Sequence, residues 1–155
     1  MNQKVEIVDY RPEYKDDFVR LNSDWISEYF KIEEADIKTF ADPEAYIIGN
    51  GGFIFCALLD GKVAGVCALQ KIKDNPVYGY ELAKLAVDKS ARGLGLGEKL
   101  CRAAIAKAKS LSKKQIYIES NTRLKPAIAL YKKLGFREIK DGKPIFERVD
   151  IQLAL

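Results

Sequence analysis

The spacing of apolar residues in the first third of the chain predicts a strand followed by helices. Residues 5–8 form a short β-rich run, and Pro12 then stands where the first turn of a helix would begin. Beyond Pro12, apolar residues recur every three or four positions, as they do on one face of a helix. They are Tyr14, Phe18, Leu21, Trp25 and Tyr29. A further short helix is predicted over residues 43–48.

The middle of the chain has the pattern of consecutive strands. Two β-rich runs, residues 53–59 and 63–70, are joined through Asp60-Gly61, which is a strong hairpin signal. A third run covers residues 78–87, and its second half is almost entirely apolar. That composition is expected of a central strand that is covered on both faces.

The remaining pattern predicts that a parallel unit follows these strands. Residues 96–111 carry apolar side chains at helical spacing, and a β-rich run, residues 115–119, comes next. A strand, a helix and a strand in this order indicate a right-handed βαβ unit. A second helix is expected to stop at Gly135, before a short strand over residues 136–139. In the last strand, apolar residues alternate with a polar face that includes Arg148, Asp150 and Gln152.

Together these elements predict an α+β fold. We expect a single mixed, mostly antiparallel central sheet flanked by helices on both faces, with a parallel βαβ unit. A length of 155 residues fits one domain, which is expected to span residues 1–155. The start carries no apolar signal region, and no stretch reaches the apolar length of a membrane span. The sequence therefore predicts a cytoplasmic protein without a membrane partner.

Charge and residue types narrow the chemistry. The net charge of +4 is too small and too dispersed to argue for nucleic acid. The chain has no histidine and no Cys-x-x-Cys pair, which excludes the usual zinc spacings and triads that rely on imidazole, so we expect no metal. Cys56, Cys67 and Cys101 lie in apolar runs and are expected to be buried thiols in a reducing compartment.

The most informative segment is Arg92-Gly93-Leu94-Gly95-Leu96-Gly97, between a predicted strand and a predicted helix. Glycine permits the positive φ angles and close backbone approach that a tight anion-binding turn requires. Free N–H groups at a helix N-terminus favour phosphate, because the helix dipole adds partial positive charge there. The spacing differs from that of dinucleotide folds and of P-loops. We predict a phosphate-binding turn; the alternative is a glycine-rich turn without a ligand.

Two motifs resemble those of the GNAT superfamily of acetyl-CoA-dependent N-acetyltransferases. Residues 92–97 match its Gln/Arg-x-x-Gly-x-Gly/Ala signature. Residues 129–136, Ala-Leu-Tyr-Lys-Lys-Leu-Gly-Phe, are similar to its Leu-Tyr-x-Lys-x-Gly-Phe stretch. The order of elements also resembles that of the family over nearly the whole chain. The resemblance implies acetyl-CoA as co-substrate and a primary amine, on a small molecule or a peptide, as acceptor.

By this resemblance, the residues that bind coenzyme A surround the glycine turn. Those expected at the pyrophosphate are Arg92, Gly93, Leu94, Gly95, Leu96, Gly97 and Glu98. Those whose backbone is expected to pair with the pantetheine arm, like an added strand, are Leu85, Ala86 and Val87.

The sequence departs from the family at one cofactor-binding position. Many relatives carry asparagine seven positions before the motif tyrosine, and that position here is Leu124. Asn121, three residues earlier, is the candidate to replace it at the cofactor arm. The alternative is an ordinary loop asparagine.

The resemblance also implies two catalytic side chains. Glu81 is the candidate base, because it lies 11 positions before Arg92, an offset that the histone-acetylating branch of the superfamily shares. Burial on an apolar strand would raise its pKa to a useful value. Tyr131, the motif tyrosine, is the candidate acid for the departing thiolate. The alternatives are a solvated or ion-paired Glu81 with water as the base, and a core tyrosine.

The sequence gives its weakest indication for the residues that bind the acceptor. Trp25 and Tyr29 are candidates for the wall of an acceptor pocket, and Arg148 could bind a substrate carboxylate. The alternatives are core aromatic residues and a surface ion pair.

The sequence therefore predicts an N-acetyltransferase that works by direct attack in a ternary complex, as a monomer or a homodimer. Two alternatives remain. One is a non-catalytic acyl-CoA-binding or regulatory module of the same fold, and the other is a phosphate-binding domain for a different nucleotide.

Overall fold

A seven-stranded sheet is the frame of the structure, a computed structural model that describes residues 3–155. Its strands lie in the order β1-β2-β3-β4-β5-β7-β6. They are β1 (Val5–Asp9), β2 (Phe53–Leu59), β3 (Lys62–Lys71), β4 (Tyr78–Val87), β5 (Gln115–Ser120), β6 (Arg137–Ile139) and β7 (Ile151–Ala154). The pair β4 and β5 is parallel, and the other neighbouring pairs of this sheet are antiparallel. The predicted mixed, mostly antiparallel sheet is confirmed.

Helices cover both faces of this sheet, as predicted. They are α1 (Lys15–Tyr29), α2 (Glu34–Ala41), α3 (Leu96–Leu111) and α4 (Lys125–Lys133). Phe18 of α1 and Phe40 of α2 belong to the core on one face. Leu100 of α3 and Tyr131 of α4 belong to the core on the other face. Two 3-10 turns, Pro12–Tyr14 and Lys89–Ala91, and a π-helical turn, Glu44–Ile48, complete the helical elements of residues 3–155.

The three cysteines are buried free thiols, which confirms that part of the prediction. Cys56 faces the α1 side of the sheet, whereas Cys67 and Cys101 lie in the core under α3. Burial raises the pKa of the Cys56 thiol to about 12, so this thiol stays protonated and acts as a small apolar residue.

Helix α2 is an element that the apolar pattern did not predict. It has eight residues, of which Asp36, Thr39 and Phe40 are buried, so its inner face mixes polar and apolar side chains. Its start is fixed by a side-chain contact, because the Glu33 amide donates to Asp36 Oδ2 at 2.9 Å.

The alternating face predicted for the last strand is wrong. β7 covers only Ile151–Ala154, and all four residues are buried because β7 lies between β5 and β6. Gln152 is therefore inside the protein, where its Nε2 donates to Tyr117 Oη at 2.7 Å and to the Asp141 carbonyl at 2.8 Å. Arg148 and Asp150 precede the strand in an irregular segment.

Candidate active site

The parallel strands β4 and β5 separate and open a cleft. Their pairs in register are Tyr78 with Gln115, Tyr80 with Ile116 and Glu81 with Tyr117. Beyond Glu81, β4 and β5 form no further pairs in the described residues, and residues 118–120 of β5 pair only with β7, on the opposite edge of β5. The cleft has a volume of about 820 Å³ and is lined by both strands, by α1, α2 and α4, by the start of α3 and by residues 145–149.

A β-bulge at Lys84 shapes the β4 wall of this cleft. Val66 and Ala68 of β3 pair with Ala86 and Ala83 of β4, so β4 carries one extra residue in this interval. Lys84 has a φ of 54°, a left-handed conformation that is rare for residues with a side chain. The bulge reverses the alternation of faces, because Leu82 packs on the α3 side and Ala86 on the α1 side.

The glycine turn lies directly after β4, at the mouth of the cleft. Gly93 and Gly95 have φ angles of 85° and 77°, which favour glycine, and α3 begins at Leu96. Within residues 3–155, the amides from Gly93 to Glu98 donate no hydrogen bond to another protein group. The turn therefore presents a series of free N–H groups at the N-terminus of a sixteen-residue helix.

The space around the turn is open on the side where a ligand would approach. A Cβ placed on Gly93 or Gly95 would meet no atom within 4 Å, and one on Gly97 would lie 3.5 Å from Leu130 Cδ2. Arg92 and each of these glycines line the cleft. The free amides, the open turn and the arginine are the donor set that a diphosphate requires, so the residues present fit the pyrophosphate of coenzyme A.

Two residues of the predicted cofactor set have no side-chain donor to offer a phosphate. The Glu98 carboxylate accepts from Lys133 Nζ at 2.6 Å and from Arg102 Nε at 3.0 Å. These hydrogen bonds, from Lys133 and then from Arg102, lower the pKa of Glu98. The Leu94 side chain is exposed. For both residues the amide, and not the side chain, is the group available to a phosphate.

The second half of β4 also faces the cleft. Leu85, Ala86 and Val87 line it, and Ala86 and Val87 pair with Val66 and Gly65 of β3 on their other side. The edge of β4 that faces β5 is therefore available for an extended ligand to pair with.

Asn121 lines the cleft, but its side chain is engaged inside the protein. Nδ2 donates to the Arg148 carbonyl at 2.7 Å, and Oδ1 accepts from the Arg123 amide at 2.8 Å. These contacts join the segment after β5 to the segment before β7. A role for Asn121 at the cofactor arm stays a prediction.

Glu81 lies at the fork between the two strands, where it lines the cleft. Its carboxylate has no hydrogen bond or ion pair within residues 3–155. Burial, followed by the negative charge of Glu119, raises the pKa of Glu81 to about 8. A carboxyl group of this kind can bind and release a proton near neutral pH.

Glu119 of β5 is a cleft residue that the sequence analysis missed. Tyr117 pairs with Glu81, and Glu119 is two residues further, so it lies on the same face of the sheet. Tyr117 Oη donates to Glu119 Oε2 at 2.7 Å. Burial raises the pKa of Glu119, partly offset by this hydrogen bond. The parallel register of β4 and β5 was the signal that would have identified Glu119.

Tyr131 of α4 reaches the cleft from the opposite face of the sheet. It is 6% exposed and packs edge-on against Phe136, with ring centroids 6.0 Å apart. In the described part of the chain its hydroxyl has no hydrogen-bond partner, although it is not fully enclosed and the residue lines the cleft. Burial raises the pKa of Tyr131 well above 10.0, so the hydroxyl keeps its proton.

Aromatic residues form one wall of the cleft. Trp25 and Tyr29 of α1 line it, together with Phe30 and Phe146. Trp25 stands edge-on to Phe30, with ring centroids 6.4 Å apart, and its Nε1 donates to Asn22 Oδ1 at 3.3 Å. The structure therefore places both predicted acceptor residues on the cleft, whereas their contact with an acceptor stays a prediction.

Arg148 lines the same wall, but the expectation that it lies on the polar face of a strand as a surface residue is wrong. Its side chain is 10% exposed. Nη1 and Nη2 donate to the two carboxylate oxygens of Asp36 at 2.6 and 2.8 Å, and Nη1 also donates to Glu33 at 3.3 Å. The guanidinium is therefore held by protein carboxylates.

Asp36 is the centre of this buried ion cluster. Besides Arg148, it accepts from Lys84 Nζ at 2.7 Å, and it is fully buried. Burial disfavours the charged form, but the hydrogen bonds from Arg148 and the charge of Lys84 outweigh it and lower the pKa of Asp36 to about 2. The cluster connects β4, α2 and the segment before β7. No local sequence pattern indicated it, because its members are far apart in the chain.

The described residues contain neither a candidate metal site nor a candidate membrane-spanning helix. Within residues 3–155, no group of three or more His, Cys, Asp or Glu is placed to hold a metal ion. No helix in this range is both long and apolar enough to span a bilayer.

Comparison with known proteins identifies relatives of the chain. Over 112 residues it is 35% identical to YjgM, an uncharacterized N-acetyltransferase of Escherichia coli (strain K12), and the match covers 72% of this chain and 58% of that protein. The chain spans about half the length of the curated relatives it matches, between 42% and 58% for the first three.

Solved structures share the fold. An acetyltransferase of the GNAT family from Staphylococcus aureus Mu50 superposes with a TM-score of 0.86 at 24% identity, over 97% of this chain and 98% of that chain. A GNAT superfamily phosphinothricin acetyltransferase from Sinorhizobium meliloti, solved in complex with AcCoA, superposes with a TM-score of 0.78 at 18% identity, over 97% and 87%. The profile of the Acetyltransferase (GNAT) family matches residues 11–136, and the chain belongs to that family.

Proposed function

We propose that this chain transfers an acetyl group from acetyl-CoA to a primary amine of a small molecule or a peptide. The observation that carries the proposal is the series of free amides from Gly93 to Glu98, at the mouth of a cleft that also contains Glu81 and Tyr131. When bound, acetyl-CoA supplies the acetyl group in activated form, as a thioester. The residues of this chain bind both partners and move the protons.

The glycine turn is proposed to hold the pyrophosphate. The amides of Gly93, Gly95 and Gly97, together with those between them, donate to phosphate oxygens, and the Arg92 guanidinium adds a positive charge at the rim. The free edge of β4 at Leu85 and Val87 offers N–H and C=O groups to the amides of the pantetheine arm. This arrangement directs the thioester into the gap between β4 and β5.

Glu81 is proposed to take the proton of the acceptor ammonium. Its raised pKa lets a fraction of the carboxyl groups be ionised at neutral pH while the group still binds protons strongly. Glu119, on the same face, adds negative charge that attracts the ammonium. The aromatic wall of Trp25 and Tyr29 covers the body of the acceptor and excludes water.

Tyr131 is proposed to give a proton to the departing sulfur. Its hydroxyl keeps its proton because burial raises its pKa, and it has no partner within residues 3–155 that would hold the proton elsewhere. Glu81 and Tyr131 belong to opposite faces of the sheet. An amine and a thioester that meet in the gap therefore lie between a base and an acid, which favours direct attack in a ternary complex.

The proposal also covers the domain organisation, the cellular compartment and the partners of the enzyme. One sheet runs through both halves of the chain, which supports a single catalytic domain over residues 1–155. Three buried free thiols support a reducing compartment, the cytoplasm. The acceptor is an amine, and no nucleic-acid or membrane partner is invoked.

An acceptor screen tests this function. The protein is incubated with acetyl-CoA and a panel of amines, amino acids and short peptides, and free thiol release is measured. Release that depends on one acceptor class supports the proposal and names the class. Binding of acetyl-CoA without thiol release on any acceptor would instead identify a non-catalytic module. A thermal shift with ATP or NAD but none with acetyl-CoA would contradict the assignment of the turn.

A further inference from the structure

We propose that Asp36 is a positioning residue that holds the Lys84 ammonium away from the Glu81 carboxylate, so that Glu81 is kept unpaired in the cleft. The inference rests on the function proposed above, in which Glu81 accepts a proton from the amine. It assigns a task to the buried ion pair of Asp36 and Lys84.

The bulge in β4 brings Lys84 and Glu81 to the same face of the sheet. In a regular strand, residues three apart point to opposite faces. Here β4 carries an extra residue between Ala83 and Ala86, and Lys84 adopts a φ of 54°. Lys84 therefore points to the α1 and α2 side, which is also the side of Glu81, and both residues line the cleft.

Asp36 is placed to take Lys84 out of the reach of Glu81. The Lys84 ammonium lies 2.7 Å from Asp36 Oδ1 and stands over the rings of Phe146, at 4.7 Å, and Phe40, at 5.4 Å. Its side chain is 6% exposed, and that of Asp36 is fully buried. The ammonium is thus fixed by a carboxylate and two aromatic faces on the α2 side, not by the carboxylates of the sheet.

Within residues 3–155, the groups that face Glu81 from the neighbouring strands are not cations. β5 presents Glu119 and Tyr117, and β3 presents Gln70, the partner of Glu81 in register. Arg148, in the segment before β7, donates to Asp36 and Glu33. Without Asp36, Arg148 would keep Glu33 as a partner, whereas Lys84 would lose its carboxylate and lies on the same strand and face as Glu81. Lys84 is therefore the cation that we expect to bind Glu81 if Asp36 were removed.

Pairing with Lys84 would weaken Glu81 as a base. An adjacent ammonium stabilises the carboxylate, so the carboxyl group would hold a proton less strongly. Even in its present position the Lys84 charge lowers the pKa of Glu81 somewhat, against the larger effects of burial and Glu119. Release from Asp36 would strengthen this effect.

The test measures the titration of Glu81 directly and needs no acceptor. Protein labelled with ¹³C at the glutamate carboxyl carbons is titrated by NMR, and the Glu81 signal is identified by its absence in Glu81→Gln. In Asp36→Asn, Lys84 is free to pair with Glu81, so the proton affinity of Glu81 falls by about tenfold or more. In Lys84→Met the cation is gone, so the proton affinity rises above that of the wild type.

Arg148→Met is the matched control. It removes the other cation from Asp36 but leaves Lys84 bound, so Glu81 titrates as in the wild type. A general disturbance of the ion cluster would instead change the proton affinity of Glu81 in the same direction in Arg148→Met and in Asp36→Asn.

The outcomes separate this inference from the proposed function. Unchanged titration of Glu81 in Lys84→Met, a variant that keeps the Asp36–Arg148 pair, overturns the inference even if Asp36→Asn does not fold. A change of the Glu81 proton affinity in the same direction in Asp36→Asn and in Lys84→Met also overturns the inference. The proton affinity of Glu81 could change in opposite directions in the two variants while the acceptor screen finds no turnover. That result would support the positioning of Lys84 and refute the proposed function.

Discussion

Glu81 and Tyr117 form the last residue pair in register between β4 and β5 before the two parallel strands separate. This position puts the Glu81 carboxylate where the cleft begins, on the same face as Glu119. Burial and then the charge of Glu119 raise its pKa to about 8 as a consequence. The fork in the sheet therefore opens the space for a ligand and also gives Glu81 the proton affinity of a base.

The rate of acetyl transfer is expected to rise with pH through about 8. Glu81 must be ionised to accept a proton, so kcat/KM falls as the pH drops below this raised pKa. Glu119→Gln removes a negative charge that raises the pKa of Glu81, so the rising limb moves to lower pH. Rate profiles of both proteins, with an amine identified by the acceptor screen, check this. A limb that persists unchanged in Glu81→Gln would show that another group is titrating.

Gly95→Ala is expected to weaken acetyl-CoA binding at least about tenfold while the protein stays folded. A side chain at a φ of 77° strains the turn by about 1–2 kcal/mol, and relief of that strain turns the amides away from the phosphates. Gly61→Ala is the control, because Gly61 has a φ of 83° in the β2–β3 hairpin, remote from the cleft, with equally open space around it. Calorimetric titration should show an affinity loss for Gly95→Ala alone. Equal affinities of Gly95→Ala and Gly61→Ala for acetyl-CoA would argue against binding of the diphosphate by the glycine turn.

Tyr131→Phe is expected to lower kcat about 10²-fold and to leave the affinity for acetyl-CoA and the melting temperature nearly unchanged. The substitution keeps the packing on Phe136 and removes a hydroxyl that has no partner within residues 3–155. Tyr10→Phe is the matched control, because Tyr10 also has an unpartnered hydroxyl but lies outside the cleft. Steady-state kinetics give kcat for both variants, and only Tyr131→Phe should show the loss. A rate equal to that of wild type would return Tyr131 to a packing role.

Asp36 is expected to make stability depend on acid pH. Its pKa is about 2 in the folded protein and 3.8 ordinarily, so its contribution is complete above about pH 4 and is lost as the pH falls through 2. That difference corresponds to about 2 kcal/mol. Urea unfolding at pH 3 and pH 6 should show a smaller loss for Asp36→Asn than for wild type or for the exposed control Asp24→Asn. The same loss in all three proteins would mean that Asp36 is not the group responsible.

Much of the fold follows from patterns that are local in the chain. The Asp60-Gly61 turn has φ angles of 51° and 83°, as the hairpin signal implies, and it sets the register of β2 and β3. The apolar residues of α1 and α3 recur at helical spacing, and the buried members of each set face the sheet. These features were predictable because each depends on residues that are close in sequence.

The parts that were not predictable depend on distant residues. Asp36 and Arg148 are 112 positions apart, and the buried pair between them is what makes α2 and the segment before β7 part of one wall. Lys84 occupies a left-handed bulge without being glycine or asparagine, so its type gave no sign of the bulge. Glu119 became recognisable only once β5 was placed in register with β4.

A crystal structure of the protein with acetyl-CoA would test the central claim most directly. The account predicts diphosphate oxygens at about 3 Å from the amides of the turn from Gly93 to Glu98, with the pantetheine arm along the free edge of β4 and the thioester in the gap beside Glu81 and Tyr131. Acetyl-CoA bound elsewhere, or a turn whose amides form bonds within the protein in the complex, would contradict it.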